Sequence, residues 1–132
     1  MKYTKKQISD YICGWLPAIN YSDYNLDTIE SALYNALIMV RDVNDGIDNH
    51  IHRRKIDSSE TPLEVKDFIF DCMEEGAKVF FFEPCDTESA FFIEHNDESV
   101  TICSWAEIGE IQYLNIEKNV RNKLAKDLEV KS

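Results

Sequence analysis

The residue pattern of this chain changes abruptly at Gly76, and the change limits the fold more than any other feature of the sequence. Before Gly76, apolar residues recur every three or four positions, which is the spacing of one helix face. After it come short runs rich in aromatic and β-branched residues, which is the composition of strands. Helices followed by a group of neighbouring strands favour an α+β fold. With 132 residues the chain has the length of one domain, and we expect residues 1–132 to form one.

The first two predicted helices have recognisable starts. Thr4 and Gln7 occupy the positions of a capping box, and the helix that follows should end before Pro17. Residues 27–30, Asp-Thr-Ile-Glu, offer a second capping box. The second helix then carries one apolar stripe at helical spacing: Ile29, Leu33, Leu37, Val40 and Val43.

Two further helices flank the predicted strands. The third helix is predicted to have Thr61 as its cap and Pro62 at its first helical position, and to end at Gly76. Asn115 is predicted to cap a C-terminal helix. The apolar stripe of that last helix comprises Ile116, Val120, Leu124 and Leu128.

The strands are predicted at residues 78–83, 89–94 and 99–105, with a fourth at 110–114. Residues 95–98, His-Asn-Asp-Glu, should form the turn of a hairpin. The resulting architecture is N-terminal helices, a three- to four-stranded antiparallel meander and a C-terminal helix. Both faces of the second and third strands are partly apolar. Either the sheet is covered on both sides, by helices and by the chain ends, or Phe92 and Trp105 form an exposed aromatic patch.

The negative charge is concentrated in the middle of the chain. The net charge is −11, and residues 56–110 alone hold 15 acidic and two basic residues. An acidic surface favours a basic partner and disfavours nucleic acid, although it can also serve solubility alone. We expect a basic protein to dock on the surface built from residues 78–105. The residues predicted to bind it are three aromatic and six acidic side chains: Phe82, Phe92, Trp105, Glu83, Asp86, Glu88, Glu94, Asp97 and Glu98.

The cysteine spacing argues against a zinc or redox motif. Cys13, Cys72, Cys85 and Cys103 include no Cys-x-x-Cys pair, and we expect free thiols. Cys85 is the one candidate nucleophile, but Glu83, Asp86 and Glu88 around it should raise its pKa.

One basic cluster is a candidate ligand site. His50, His52, Arg53 and Arg54, followed by Lys55, could bind a small anion or phosphate. The same residues also fit the solvated end of the second helix, where cations meet the negative end of the helix dipole. Residues 42–48 contain Gly46 and several acidic residues, but they lack the ligand pattern of a calcium loop.

The function predicted from these features is binding rather than catalysis. The sequence contains no glycine-rich phosphate loop, no metalloprotease motif and no nucleophile elbow, so we expect no cofactor, no metal and no enzyme activity. No apolar run is long enough to span a membrane, and the first residues lack the apolar stretch of a signal peptide. We therefore expect a cytoplasmic monomer or weak dimer.

The leading hypothesis is a small acidic inhibitor, such as an immunity protein or antitoxin that blocks a basic nuclease or toxin by occlusion. The alternatives are a phage-encoded mimic of nucleic acid that inhibits a host defence nuclease, and a ligand-binding or enzyme domain that uses the cluster at residues 50–55.

Overall fold

The computed structural model describes part of the chain, namely residues 4–16, 19, 23–44, 56–57, 61–85, 88–106 and 111–131. Within it, helices come first, a four-stranded antiparallel sheet follows, and a C-terminal helix comes last, which confirms the predicted α+β architecture. The elements in chain order are α1 (Lys5–Trp15), α2 (Leu26–Asn44), α3 (Leu63–Glu74), β1 (Lys78–Cys85), β2 (Glu88–Glu94), β3 (Val100–Ala106), β4 (Gln112–Ile116) and α4 (Lys118–Lys131).

The four strands form a meander in which each strand pairs with the next along the chain. One row of paired residues crosses the whole sheet through Phe80, Phe92, Ile102 and Leu114. The register of β1 against β2 shifts between Phe82 and Cys85, so the last part of β1 pairs irregularly. Short connections and antiparallel neighbours explain why the strand region could be predicted from local patterns.

The start of α1 is the predicted capping box. The Gln7 backbone N–H donates to the Thr4 hydroxyl at 3.1 Å, and the Thr4 N–H donates to the Gln7 side chain at 2.9 Å. Each residue thereby satisfies a backbone donor that the first helical turn would leave unpaired.

Three other predicted helix starts are wrong by one or two residues. Asn25 caps α2, because its side-chain oxygen accepts the Thr28 N–H at 2.8 Å. Pro62 is itself the cap of α3 and its side chain makes no capping hydrogen bond. Asn115 lies in β4 and not at a helix start, because pairing with β3 continues as far as Ile116 and α4 begins only at Lys118.

The end of α3 is set by Gly76, as predicted. Gly76 has φ +94°, a backbone conformation that costs other residues free energy. Its N–H donates to the Met73 carbonyl, and the Ala77 N–H donates to the Cys72 carbonyl, both at 3.0 Å. This Schellman arrangement pairs the last carbonyls of α3 and turns the chain into β1.

Helices cover both faces of the sheet, so the core has two parts. One face packs against α1, α2 and α4, around side chains such as Ile12, Leu37 and Phe92. The other face packs against α3, around Ile69 and Phe91. Of the two predicted arrangements, the covered sheet is therefore the one observed. The second face is covered by α3, however, and not by the chain ends.

Candidate functional site

Two acidic residues at the β2–β3 turn are neutralised within the molecule. The Glu94 carboxylate is buried, accepts a hydrogen bond from the Arg121 guanidinium, and lies 3.3 Å from Nε of Arg41. Glu98 lies 2.9 Å from Nζ of Lys118, and its backbone carbonyl accepts from Arg121 at 3.0 Å. These carboxylates were predicted to bind a partner, yet their charges are already compensated by α2 and α4.

Asp97 lies on the surface at the tip of the same turn. Its carboxylate accepts from the hydroxyl and from the backbone N–H of Ser99, and both bonds hold the pKa of Asp97 below its usual 3.8. The next residue, Glu98, has φ +71°, which the turn requires. Asp97 thus stabilises the turn while keeping its negative charge.

Among the described residues, a row of carboxylates without an ion pair runs along α3 and its C-cap. Five acidic residues follow one another at helical spacing and are all exposed: Glu64, Asp67, Asp71, Glu74 and Glu75. None of them forms an ion pair with a cation in the part of the chain that the structure describes. At 1.5 Å per residue they extend over about 16 Å along the helix. We call this surface the acidic face of α3.

The apolar side of α3 determines which way the carboxylates point. Val65, Ile69 and Cys72 are buried against the sheet, so the acidic residues on the other side of the helix face outward. Lys66 is the one basic residue of the helix, and its Nζ lies 3.4 Å from the Asp57 carbonyl. Leu63, at the start of the helix, leaves 72% of its surface exposed. The acidic face therefore has an apolar residue at one end and, among the described residues, no cation in an ion pair with it.

The predicted exposed aromatic patch is not observed, because its three side chains are buried. Phe82 and Phe92 are 3% and 0% exposed and pack under α1 and α2, and Trp105 is 8% exposed and stacks on Phe91 with ring centroids 5.6 Å apart. All three contribute to the core because the sheet is covered on both faces. They are therefore not available as surface anchors for a partner.

The remaining predicted site residues lie outside the part of the chain that the structure describes. They are the side chains of Glu83 and Glu88, together with Asp86, His50, His52, Arg53, Arg54 and Lys55. Their roles in partner or anion binding stay predictions.

Two cysteines are embedded in the core beneath α3. Cys72 is 5% exposed and Cys103 is fully buried, as expected for a helix face and a strand. Burial raises the pKa of the Cys72 thiol to about 11, with smaller contributions from Glu75 and Asp71. Burial also raises the pKa of Cys103 to about 12, although a hydrogen bond with Tyr113 opposes the change. Neither thiol is suited to nucleophilic chemistry.

A cleft of about 550 Å³ lies beside the β2–β3 turn and is also lined by Glu75 at the end of α3 and by Lys118 at the start of α4. On its floor, Nε2 of His95 lies 2.8 Å from the Thr101 hydroxyl, which donates to Oδ1 of Asn115, also at 2.8 Å. The chain of hydrogen bonds satisfies the buried Thr101 hydroxyl and links β3 and β4 to the residue that follows β2. Among the described residues, no group of His, Cys, Asp or Glu side chains is placed to hold a metal ion.

The sequence contains a signal for the acidic face of α3, which the predicted docking surface at residues 78–105 does not include. The acidic spacing of three or four residues, opposite the stripe of Val65, Ile69 and Cys72, already indicates one charged helix face. What the sequence did not reveal is that Arg41, Arg121 and Lys118 neutralise the β2–β3 turn.

Comparison with known proteins gives no relative from which a function could be inferred. No family model, curated protein or solved structure matches the chain significantly. No helix in the described ranges is long and apolar enough to cross a membrane.

Proposed function

We propose that this chain is a small acidic binding protein that inhibits a basic protein by docking on it through the acidic face of α3. The observation that carries the proposal is the row of five exposed carboxylates on α3, with no ion pair to a described cation. Such a row keeps its full attraction for a basic surface, whereas Glu94 and Glu98 have already lost theirs to α4 and α2.

The position of α4 strengthens the electrostatic argument. α4 carries Lys118, Arg121, Lys123 and Lys126, and it packs on the sheet face opposite α3. These cations therefore lie away from the acidic face of α3, so the unpaired carboxylates of that face can attract a basic partner during encounter. Charges of this kind act mainly on the association rate and are screened over about 8 Å at physiological salt.

Inhibition would then follow from occlusion. A helix that covers the basic surface of a nuclease or toxin excludes the phosphate backbone that the surface normally binds. In this proposal the chain acts in the cytoplasm as an immunity protein or antitoxin and performs no chemistry. A mimic of nucleic acid would use the same face. An immunity protein and a mimic would therefore both compete with DNA for the partner.

The test compares two variants with equal charge. Asp67→Asn, Asp71→Asn and Glu74→Gln together neutralise the middle of the acidic face of α3. The control combines Asp10→Asn, Glu117→Gln and Asp127→Asn, which removes three exposed carboxylates elsewhere. The unmodified chain, the α3 variant and the control are each immobilised and incubated with extract from the native cell. The basic proteins that the unmodified chain captures are then quantified on each of the three.

The protein captured by the unmodified chain is then purified for kinetics. We expect the α3 variant to associate at least about tenfold more slowly at low salt, and its rate to depend less on salt, whereas the control stays close to the unmodified chain. A captured nuclease or toxin should also lose activity at one equivalent of the chain. Equal association rates for the two variants, with both shown to be folded, would contradict docking through α3.

A further inference from the structure

A groove between α1 and α2 contains a combination of side chains that the proposed function does not use. Its volume is about 570 Å³, within the range of small-ligand sites. Tyr11 and Trp15 line it from α1, and Asp27, Thr28, Ser31 and Asn35 line it from α2. We call it the α1–α2 groove. It lies on the sheet face opposite α3 and is therefore separate from the acidic face of α3.

The aromatic wall of the groove is held in place by contacts on both sides. The Tyr11 hydroxyl donates to the Ala32 carbonyl of α2 at 2.9 Å, which fixes the ring across the junction of the two helices. The Trp15 ring lies 5.2 Å from the Tyr24 ring, centroid to centroid, at an interplanar angle of 45°. Both wall residues rest against buried core side chains, so the groove is largely formed before any ligand arrives.

The charge of the groove is negative. Asp27 is the one charged residue among those that line it, and it makes no ion pair with a cation in the described ranges. Glu30 follows less than one turn later on α2, and burial first, then the nearby carboxylates of Asp27 and Glu117, raise its pKa, so Asp27 is the main source of the charge. A ligand in the groove therefore meets the unpaired charge of Asp27, which favours a cation over an anion.

Large exposed apolar side chains are found beside the same groove. Tyr24 is 62% and Leu26 59% exposed, and Leu63 on α3 is the other large hydrophobic residue of comparable exposure among the described residues. Aromatic and aliphatic surface next to a carboxylate can hold the body of an amphipathic ligand while its charged end meets the acid.

We infer that the α1–α2 groove binds an organic cation, an ammonium or guanidinium group on an aliphatic chain, between the rings of Tyr11 and Trp15 and the carboxylate of Asp27. The faces of Trp and Tyr attract cations through the ring quadrupole, and Asp27 supplies the counter-charge. The cation can belong to a free amine or guanidine, or to a lysine or arginine side chain of another protein.

The test uses four small probes that share one shape and differ in charge. n-Butylguanidinium and n-butylammonium are titrated into ¹⁵N-labelled protein, and n-butylurea and butyrate serve as the neutral and anionic controls. The indole N–H resonance of Trp15 is distinguished from that of the buried Trp105 by its loss in Trp15→Phe. We expect saturable shifts of the Trp15 resonance with the two cations and none with the controls. Equal shifts with butylurea, or no saturable shift with either cation, would overturn the inference.

Variants then assign the counter-ion. Asp27→Asn should weaken binding of butylguanidinium about fivefold, by loss of a partly exposed charge pair, whereas Asp10→Asn on the surface of α1 should leave it unchanged. Unfolding temperatures of both variants show that the fold is retained. An unchanged affinity in Asp27→Asn would remove the carboxylate from the site and with it the assignment of ligand class.

A capped Gly-Arg-Gly peptide separates the two sources of the cation. Tighter binding of the peptide than of butylguanidinium indicates an arginine side chain of a protein, because the flanking backbone adds contacts with the exposed surface at Tyr24 and Leu26. Equal or weaker binding indicates a free small molecule. Because binding here needs no basic protein partner, and the α3 variant leaves the groove intact, failure of one proposal is distinguishable from failure of the other.

Discussion

Arg121 of α4 donates a hydrogen bond to the buried carboxylate of Glu94 at the end of β2. Arg41 of α2 completes the cluster at 3.3 Å from the other carboxylate oxygen, at ion-pair distance but without hydrogen-bond geometry. One carboxylate thereby joins two helices to the sheet on the face that they share. Its burial makes the cluster sensitive to the loss of any member, because an unpaired charge in the interior is costly.

We expect Glu94→Gln to destabilise the protein by about 2 kcal/mol or more, because it leaves two guanidinium groups together without a counter-charge. The matched control is Glu98→Gln at the neighbouring turn, where the pair with Lys118 is more than half exposed and should contribute less than about 1 kcal/mol. Urea unfolding of both variants at neutral pH measures the difference. Similar unfolding midpoints would show that the buried cluster does not stabilise the fold.

Gly76→Ala should destabilise the protein, because φ +94° is strained for alanine and the added Cβ would lie 2.6 Å from Nδ2 of Asn96. The cost should exceed about 1 kcal/mol. Gly14→Ala is the control: Gly14 lies within α1, and a Cβ there meets no atom within 4 Å. It should stabilise the protein by roughly 0.5–1 kcal/mol. Thermal or urea unfolding that shifted in the same direction for both variants would contradict this account.

Glu30 should make the protein less stable as the pH rises. Burial first, and then the charges of Asp27 and Glu117, raise the pKa of Glu30 above its usual 4.5. The folded state therefore keeps this proton to a higher pH than the unfolded chain does. The contribution of Glu30 to stability falls from about pH 4.5 up to its raised pKa and is constant above it. Asp97, whose pKa is lowered, acts in the opposite sense and only at lower pH.

Glu30→Gln should remove that decline and stabilise the protein at neutral pH by up to about 1 kcal/mol. Urea unfolding between about pH 4 and pH 8 gives the comparison, with Glu74→Gln on the exposed face of α3 as the control. If the unmodified protein and Glu30→Gln differ by the same amount at every pH, the carboxylate of Glu30 does not titrate as described.

Cys72 and Cys103 should resist alkylation in the folded protein. With pKa values of about 11 and about 12 and little exposure, both are almost entirely protonated near neutral pH. Mass spectrometry after iodoacetamide treatment at about pH 8 should find them modified only once urea has unfolded the chain. Rapid modification of either one in the native state would contradict its placement beneath α3.

Local signals in the sequence were sufficient for the elements themselves. The helical stripes, the capping box at Thr4 and the stop at Gly76 depend on residues within a few positions of each other, and so do the aromatic and β-branched runs of the strands. The element boundaries depend on more than local signals, because Asn115 suits both a helix cap and a strand. Pairing with Thr101 and the rest of β3 decided in favour of the strand.

Only the tertiary structure decided which residues are left to bind anything. The exposure of Phe92 and Trp105 depends on whether a helix covers each face of the sheet. The alternation of apolar and polar residues along a strand cannot show which faces are covered when both faces are apolar. The availability of Glu94 depended on Arg121, which is 27 residues away in sequence but in direct contact. Charge can be counted from the sequence, whereas its compensation is a matter of distance. The −13 of residues 56–110 therefore gave the amount of negative charge, and the packing of α2, α3 and α4 determined which of the described carboxylates are paired and which, along α3, are not.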